Sequence, residues 1–191
     1  MKEIILPLTI KDLQIQAYEY VHDLEVYLTQ SKLLGLFNPP IDHFAIKATN
    51  SQSYEKLVES ARQISNKISY VYLDQRRLAT AELTVPIEFV KLGQTSYLEI
   101  MEPRPNAAAS LIDFFEHAEI YSQDLGKIKS ILALEQVVHQ EYKNPNHEVV
   151  VLEINKAKQE IKFTNKHLSQ IIKDQEERGE VTLLIDLTKT A

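Results

Sequence analysis

Residues 97–121 read YLEIMEPRPNAAASLIDFFEHAEIY, and this stretch constrains the fold more than any other. An apolar, strand-forming run closes on a carboxylate, Glu102. A stiff Pro-Arg-Pro segment and a linker follow, and a second strand-forming run opens on Glu116-His117. A run of the same style stands upstream, PIDHFAI at residues 40–46, again with a histidine, His43, near its start. The linker brings an acid at the end of one strand to an imidazole at the start of the next. His43, His117 and Glu102, carried on strands rather than on loops, are the elements of a divalent-metal site.

The composition narrows the chemistry. The 191 residues contain no cysteine, which removes disulfides, thiol nucleophiles and thiolate ligands, so any metal here is held by nitrogen and oxygen. A formal charge of -6, with no stripe of Lys and Arg, speaks against nucleic acid or an anionic membrane as partner. No apolar run reaches the roughly 18 residues of a membrane span. The start, MKEIILPLTI, lacks the apolar core and cleavage site of a secretory signal, so the expected location is the cytoplasm. With only four glycines there is no phosphate-cradling loop, and HExxH and Gly-x-Ser-x-Gly are absent. A small-molecule substrate is the expected partner, with the chain a monomer or homodimer.

Periodicity divides the chain. Apolar residues from Leu13 to Leu33 recur at three- and four-residue spacing, predicting a helix within 10–37 that Gly35 and Asn38-Pro39-Pro40 terminate. A strand at 41–48, a helix to about 64 and short strands at 68–73, 78–83, 87–91 and 96–102 make up a first unit, 41–105. The order restarts in a second unit, 115–164. It has a strand at 115–121, a helix at 124–139 ended by Asn144-Pro145-Asn146, and a hairpin of 149–154 and 160–163 turning at 155–158. The second copy is one hairpin shorter, or one of its strands is weakly marked. A helix at 166–177 and a last strand at 181–187 close the single domain.

Strand alternation sorts the candidates. His43 shares a face with Ile41 and Ala45, His117 with Glu119, and Glu102 with Leu98 and Ile100. Glu99 takes the face opposite Glu102 if the strand is regular, and Asp42 the face opposite His43. A carboxylate on an apolar face must be paired or metal-bound. The residues alone leave two arrangements open: a metal or catalytic site, or a Glu102–Arg104 ion pair beside two hydrogen-bonded core histidines. Arg104, stiffened between two prolines, suits a substrate carboxylate or phosphate as well as such an ion pair. Glu119 is a lesser candidate, either an alternate ligand or an acid supporting one, and Glu82 is another. His22, His139, His147, His167 and the Arg76-Arg77 dyad read as surface groups.

DHFAIK at 42–47, IMEPRP at 100–105, EHAEI at 116–120 and IKF at 161–163 before a helix together resemble the YecM family, within the glyoxalase-like (vicinal oxygen chelate) superfamily. The resemblance spans roughly residues 10–178. It implies an α+β fold of paired βαβββ modules forming a curled mixed sheet around a cleft, with added N-terminal and C-terminal helices. It further implies a divalent ion (Zn, Fe, Ni or Mn) on His43, Glu102 and His117, one ligand coming from the first strand and one from the last strand of each module. The fourth ligand position falls on Lys162, which cannot ligate as an ammonium, while Glu160 shares its face. Lys162 and Arg104 are then the catalytic candidates. The superfamily implies a metal-dependent lyase, isomerase or dioxygenase acting on a small oxygen-rich metabolite, the alternative being a metal-free ligand-binding or protein-interaction module.

Overall fold

The computed structural model describes residues 3–31, 33, 41–73, 75–105, 112–143, 147–154 and 159–186. The expected turns at 38–40, 144–146 and 155–158, and residues 34–37, lie outside the described residues.

Each of the first three helices starts where a short polar side chain takes up a free backbone N–H. Thr9 accepts from the Asp12 amide ahead of α1 (Ile10–Gln30), Asn50 from Ser53 ahead of α2 (Ser51–Ala61), and Asp124 from Lys127 ahead of α3 (Leu125–Leu134). Around them run β1 (Ile41–Lys47), β2 (Ser65–Leu73), β3 (Arg76–Phe89), β4 (Gly93–Met101), β5 (Phe114–Tyr121), β6 (Gln140–Lys143), β7 (Glu148–Glu153) and β8 (Glu160–Thr164). Then come α4 (Leu168–Glu177) and β9 (Thr182–Asp186). The strand that periodicity marked weakly is β6, four polar or aromatic residues without an alternating apolar face. With it, both halves follow the order strand, helix, three strands.

All nine strands join one mixed sheet in the order β6-β7-β8-β5-β1-β4-β3-β2-β9. The first strands of the two halves, β1 and β5, pair antiparallel at its centre. Each is flanked by the last strand of its own half, β1 by β4 and β5 by β8, both parallel. This corrects the expected curled sheet around a cleft. Joined through their first strands, the halves continue one another sideways, and β9 prolongs the row by pairing with β2. The sheet is open, with β6 and β9 as its two edges.

One face of the sheet is the core. Phe44, Ile46, Leu98, Ile100, Ala118, Ile120, Ile161 and Phe163 are buried together with the apolar stripes of α1, α2 and α3. Phe44 meets Phe89 and Phe115 edge-on, with ring centroids 6.2 and 5.3 Å away. Tyr20 of α1 stacks on Phe115 and donates its hydroxyl to the Glu160 carbonyl. The opposite face carries a small apolar cluster, Ala45, Leu78 and Met101 with Val71 against it, and there the sheet also buries His43, His117 and Glu119. Alternation decides this partition: the residues between Phe44 and Ile46, or between Leu98 and Ile100, must point away from the helices. Among the described residues no helix is long and apolar enough to cross a membrane.

Candidate metal centre

The polar face at the centre of the sheet gathers the histidines. In register, Ala45 lies opposite His117 on β5 and opposite Glu99 on β4, while His43 lies opposite Glu119. One donor atom from each of His43, Glu99 and His117 lies within 4.8 Å of the others. The imidazoles meet edge to face, centroids 5.8 Å apart. The Glu99 carboxylate is 3.8 Å from His117 Nε2, and that of Glu119 is 3.8 Å from His43 Nε2.

Both imidazoles are held from behind by the acid that precedes them in sequence. Asp42 Oδ2 lies 3.1 Å from His43 Nδ1, and Glu116 Oε2 lies 3.3 Å from His117 Nδ1. Strand regularity predicted that Asp42 would point away; a register irregularity between Ile41 and His43 lets it turn back. Glu116 likewise falls in the register shift opposite Ala45 and Ile46, and its other oxygen takes the Lys47 ammonium at 2.9 Å. Asp42 also accepts from the Leu168 amide and lies 2.8 Å from His167 Nδ1, tying α4 to the site. His167, read from sequence as a surface group, is exposed at the N-cap of α4 and stacks on Tyr121.

Burial lowers the basicity of His43, but the carboxylates of Glu119, Asp42 and Glu99 outweigh it and push its pKa up to about 9. Burial and the Lys162 ammonium push His117 down to about 4, leaving it a neutral imidazole. Lys162 Nζ lies 3.1 and 3.4 Å from the two ring nitrogens of His117. With Nδ1–H given to Glu116, the lone pair is on Nε2, and the Lys162 ammonium stands beside both ring nitrogens, nearer Nδ1. Lys162 lies opposite Glu119 and Glu160 opposite His117, so both β8 side chains share the face of the trio. Pairing Ala45 with Glu99 in one half and Glu119 with Lys162 in the other makes Lys162 the counterpart of Glu99.

The acid brought to the histidines is therefore Glu99. Glu102 lies just past β4, where Arg77 grips both its oxygens: Nε and the backbone amide reach Oε2 at 3.0 and 3.1 Å, and Nη2 reaches Oε1 at 2.9 Å. The Arg77 guanidinium also bonds Glu55 and lies over the Tyr54 ring, so this half of the Arg76-Arg77 dyad is an ion-pair hub. Arg104 is exposed. Sequence alone contained the signal for Glu99: Leu98 and Ile100 alternate as core residues just as Phe44 and Ile46 do, which sets Glu99 on the same face as His43.

The donor set fits a divalent ion. His43 Nε2 is buried, has no hydrogen-bond partner and faces the other two donors. A nitrogen in that position is costly unless something binds it. Two imidazoles and a carboxylate suit Zn, Fe, Ni or Mn alike, and a carboxylate behind each imidazole is the usual support of a metal-bound histidine. Removing that support by Asp42→Asn is expected to weaken metal binding by about 10- to 100-fold in a competition titration against a chelating dye.

Arg77 holds the Glu102 pKa down to about 2 through hydrogen bonds that outweigh partial burial. A carboxylate lowered on folding contributes stability above its unfolded pKa, and that contribution is lost as pH falls toward the folded value. Acid denaturation followed by circular dichroism is expected to show this loss between about pH 4.5 and 2. Glu102→Gln, less stable at neutral pH, is expected to lack that component.

No family model matches the chain, and no curated protein sequence matches it. Among solved structures it is similar to protein EC4020, a structural-genomics target, with a TM-score of 0.66 at 16% identity over 90% of this chain and 98% of that one. It is also similar to methylmalonyl-CoA epimerase from Mycobacterium tuberculosis, with a TM-score of 0.51 at 11% identity over 70% of this chain and 91% of that one. At these identities the likeness is one of fold. The fold is shared with these two structures, and the cluster that this chain carries on it, His43, Glu99 and His117, is one able to hold a divalent metal.

Proposed function

We propose that this chain is a metal-dependent enzyme of the YecM-like branch of the glyoxalase-like (vicinal oxygen chelate) superfamily, acting on a small oxygen-rich metabolite as an isomerase, lyase or dioxygenase. The observation that carries the proposal is His43 Nε2, buried and unpartnered, converging with Glu99 and His117. His43, Glu99 and His117 would hold the ion, which when bound supplies a Lewis acid toward substrate oxygen. Three protein donors leave positions for two neighbouring oxygens of a substrate. Asp42 and Glu116 fix the two rings so that Nε2 faces inward. Lys162, which stands beside the His117 ring here, would turn to the substrate and hold negative charge developing on its oxygen. Arg104, exposed beyond the strand end, has no part in the proposal.

The second reading, a metal-free ligand pocket, is favoured by the Lys162 ammonium already standing at the ring nitrogens of His117. The test is proton exchange. Protein reconstituted in turn with Zn, Ni, Mn and Fe(II) is incubated with small α-hydroxycarbonyl compounds in heavy water, and deuterium uptake at the carbon beside the carbonyl is followed by NMR. Metal-dependent uptake that slows in Lys162→Met supports an isomerase or lyase. Oxygen consumption with iron alone supports a dioxygenase, and neither signal with any ion contradicts the enzyme reading.

A further inference from the structure

A cavity lies one strand away from the trio. It lies between α4 and the polar face of β2, β3 and β4, holds about 100 Å³, and is bounded by Ser69, Thr80, Tyr97, Glu82 and Lys67 from the sheet and by Ser169, Ile172, Lys173 and Glu176 from α4. Two register relations join it to the candidate metal centre. Thr80 lies directly opposite Glu99, and Tyr97 stands two residues before Glu99 on the same face of β4. Opposed side chains across a sheet stand about 5 Å apart at Cβ, so the cavity begins one strand from a proposed ligand.

The lining states what it would accept. Four hydroxyls surround it, those of Ser69, Thr80, Tyr97 and Ser169. Its charges balance, Lys67 and Lys173 against Glu82 and Glu176, and Lys67 is already paired with Glu176 at 2.5 Å. A phosphate or carboxylate would meet no spare cation on the sheet side and would face Glu82. An apolar group would strand the hydroxyls, although Ile172 and the Tyr97 ring would pack against it. The volume is that of roughly three water molecules, which three hydroxylated carbons fill.

We infer that this cavity is a specificity subsite for the neutral, hydroxylated tail of the substrate, whose two neighbouring oxygens lie at the His43–Glu99–His117 centre. The substrate class is thus an uncharged polyhydroxy carbonyl compound of the open-chain ketose kind. The head of this assignment rests on the proposed metal site; the tail rests on the cavity alone.

Three probes share one α-hydroxyketone head and differ in the tail: D-xylulose, 1-hydroxy-2-pentanone and D-xylulose 5-phosphate. Each is titrated into the zinc-loaded full chain with the Thr80 and Ile172 methyl signals followed by NMR. D-xylulose is expected to move both signals and to bind at least about 10-fold tighter than the apolar-tailed probe, and tighter than the phosphorylated one. Thr80→Val and Tyr97→Phe should each shrink that preference severalfold, with Thr80→Ser restoring it. Equal binding of D-xylulose and 1-hydroxy-2-pentanone, tighter binding of the phosphate, or unmoved Thr80 and Ile172 signals with every probe overturns the inference. The two readings fail differently. If only the metal reading is wrong, D-xylulose still moves Thr80 and Ile172, equally with and without zinc and in His43→Ala. If only the cavity reading is wrong, binding still requires zinc and His43 but no longer depends on the tail.

Discussion

His43→Ala is expected to abolish metal-dependent stabilisation while the protein stays folded. In the wild type, a metal present at 100 times its dissociation constant raises unfolding free energy by about 2.7 kcal/mol. For a chain of this length that is a rise in Tm of roughly 5–11 °C. Loss of one of three protein donors is expected to weaken binding by more than about 100-fold, since loss of a mere supporting group costs about 10- to 100-fold. At the same metal concentration the variant then gains less than about 0.5 kcal/mol, within the error of a thermal melt. The truncated ring carries a buried nitrogen with no hydrogen-bond partner, so no internal hydrogen bond of Nε2 is lost. A metal-induced rise in Tm equal to that of the wild type would remove His43 from the site. The melts belong below pH 9 as well as above it. Because the surrounding carboxylates raise the His43 pKa to about 9, metal must displace a proton there, and apparent affinity should climb as pH rises toward that value.

The neighbouring substitution, Phe44→Ala, is expected to do the reverse. Phe44 is fully buried on the core face, with Phe89 and Phe115 edge-on against it. Truncating a buried phenylalanine costs about 3–5 kcal/mol, the lost transfer energy plus the cavity left behind. That is a large fraction of a typical domain's stability, and urea denaturation is the measurement. The ring lies where the helices meet the middle of the sheet, on the strand that pairs with both β4 and β5. A loss below about 1 kcal/mol would mean that the aromatic cluster rearranges to fill the gap and that the β1 register does not depend on it. Metal affinity of whatever fraction stays folded should change far less than in His43→Ala. One residue along β1 thus separates a binding defect from a folding defect.

The alternation that creates this contrast also sets how far the sequence can be read. Leu13, Ala17, Tyr20, Val21, Leu24 and Leu28 recur at helical spacing and are buried in α1. The recurrence of strand, helix and strands in the two halves was visible in order, if not in every strand. β6 escaped because Gln140-Glu141-Tyr142-Lys143 pairs with β7 at an edge of the sheet and carries no alternating apolar face. The two histidines were legible because imidazoles in apolar runs are conspicuous. The acid was not, for Glu102 stands beside Pro103 in the more conspicuous motif, while Glu99 looks like an ordinary polar residue in an alternating strand. Only the register of β1 against β4 separates them, and register is a relation between distant segments. Asp42 was misjudged for a similar reason, since a one-residue irregularity in β1 reverses what alternation predicts. The open sheet depended on which strands the two halves use to join, and no residue pattern states that.

The most direct test of a metal centre on His43, Glu99 and His117 is the metal content of untagged protein, purified without chelator and measured by inductively coupled plasma mass spectrometry, beside Glu99→Gln and Glu102→Gln. The account predicts near-stoichiometric iron, nickel, manganese or zinc in the wild type and in Glu102→Gln, and its loss in Glu99→Gln with the fold intact. Metal retained in Glu99→Gln but lost in Glu102→Gln, or no metal in the wild type even after incubation with each ion, would contradict it.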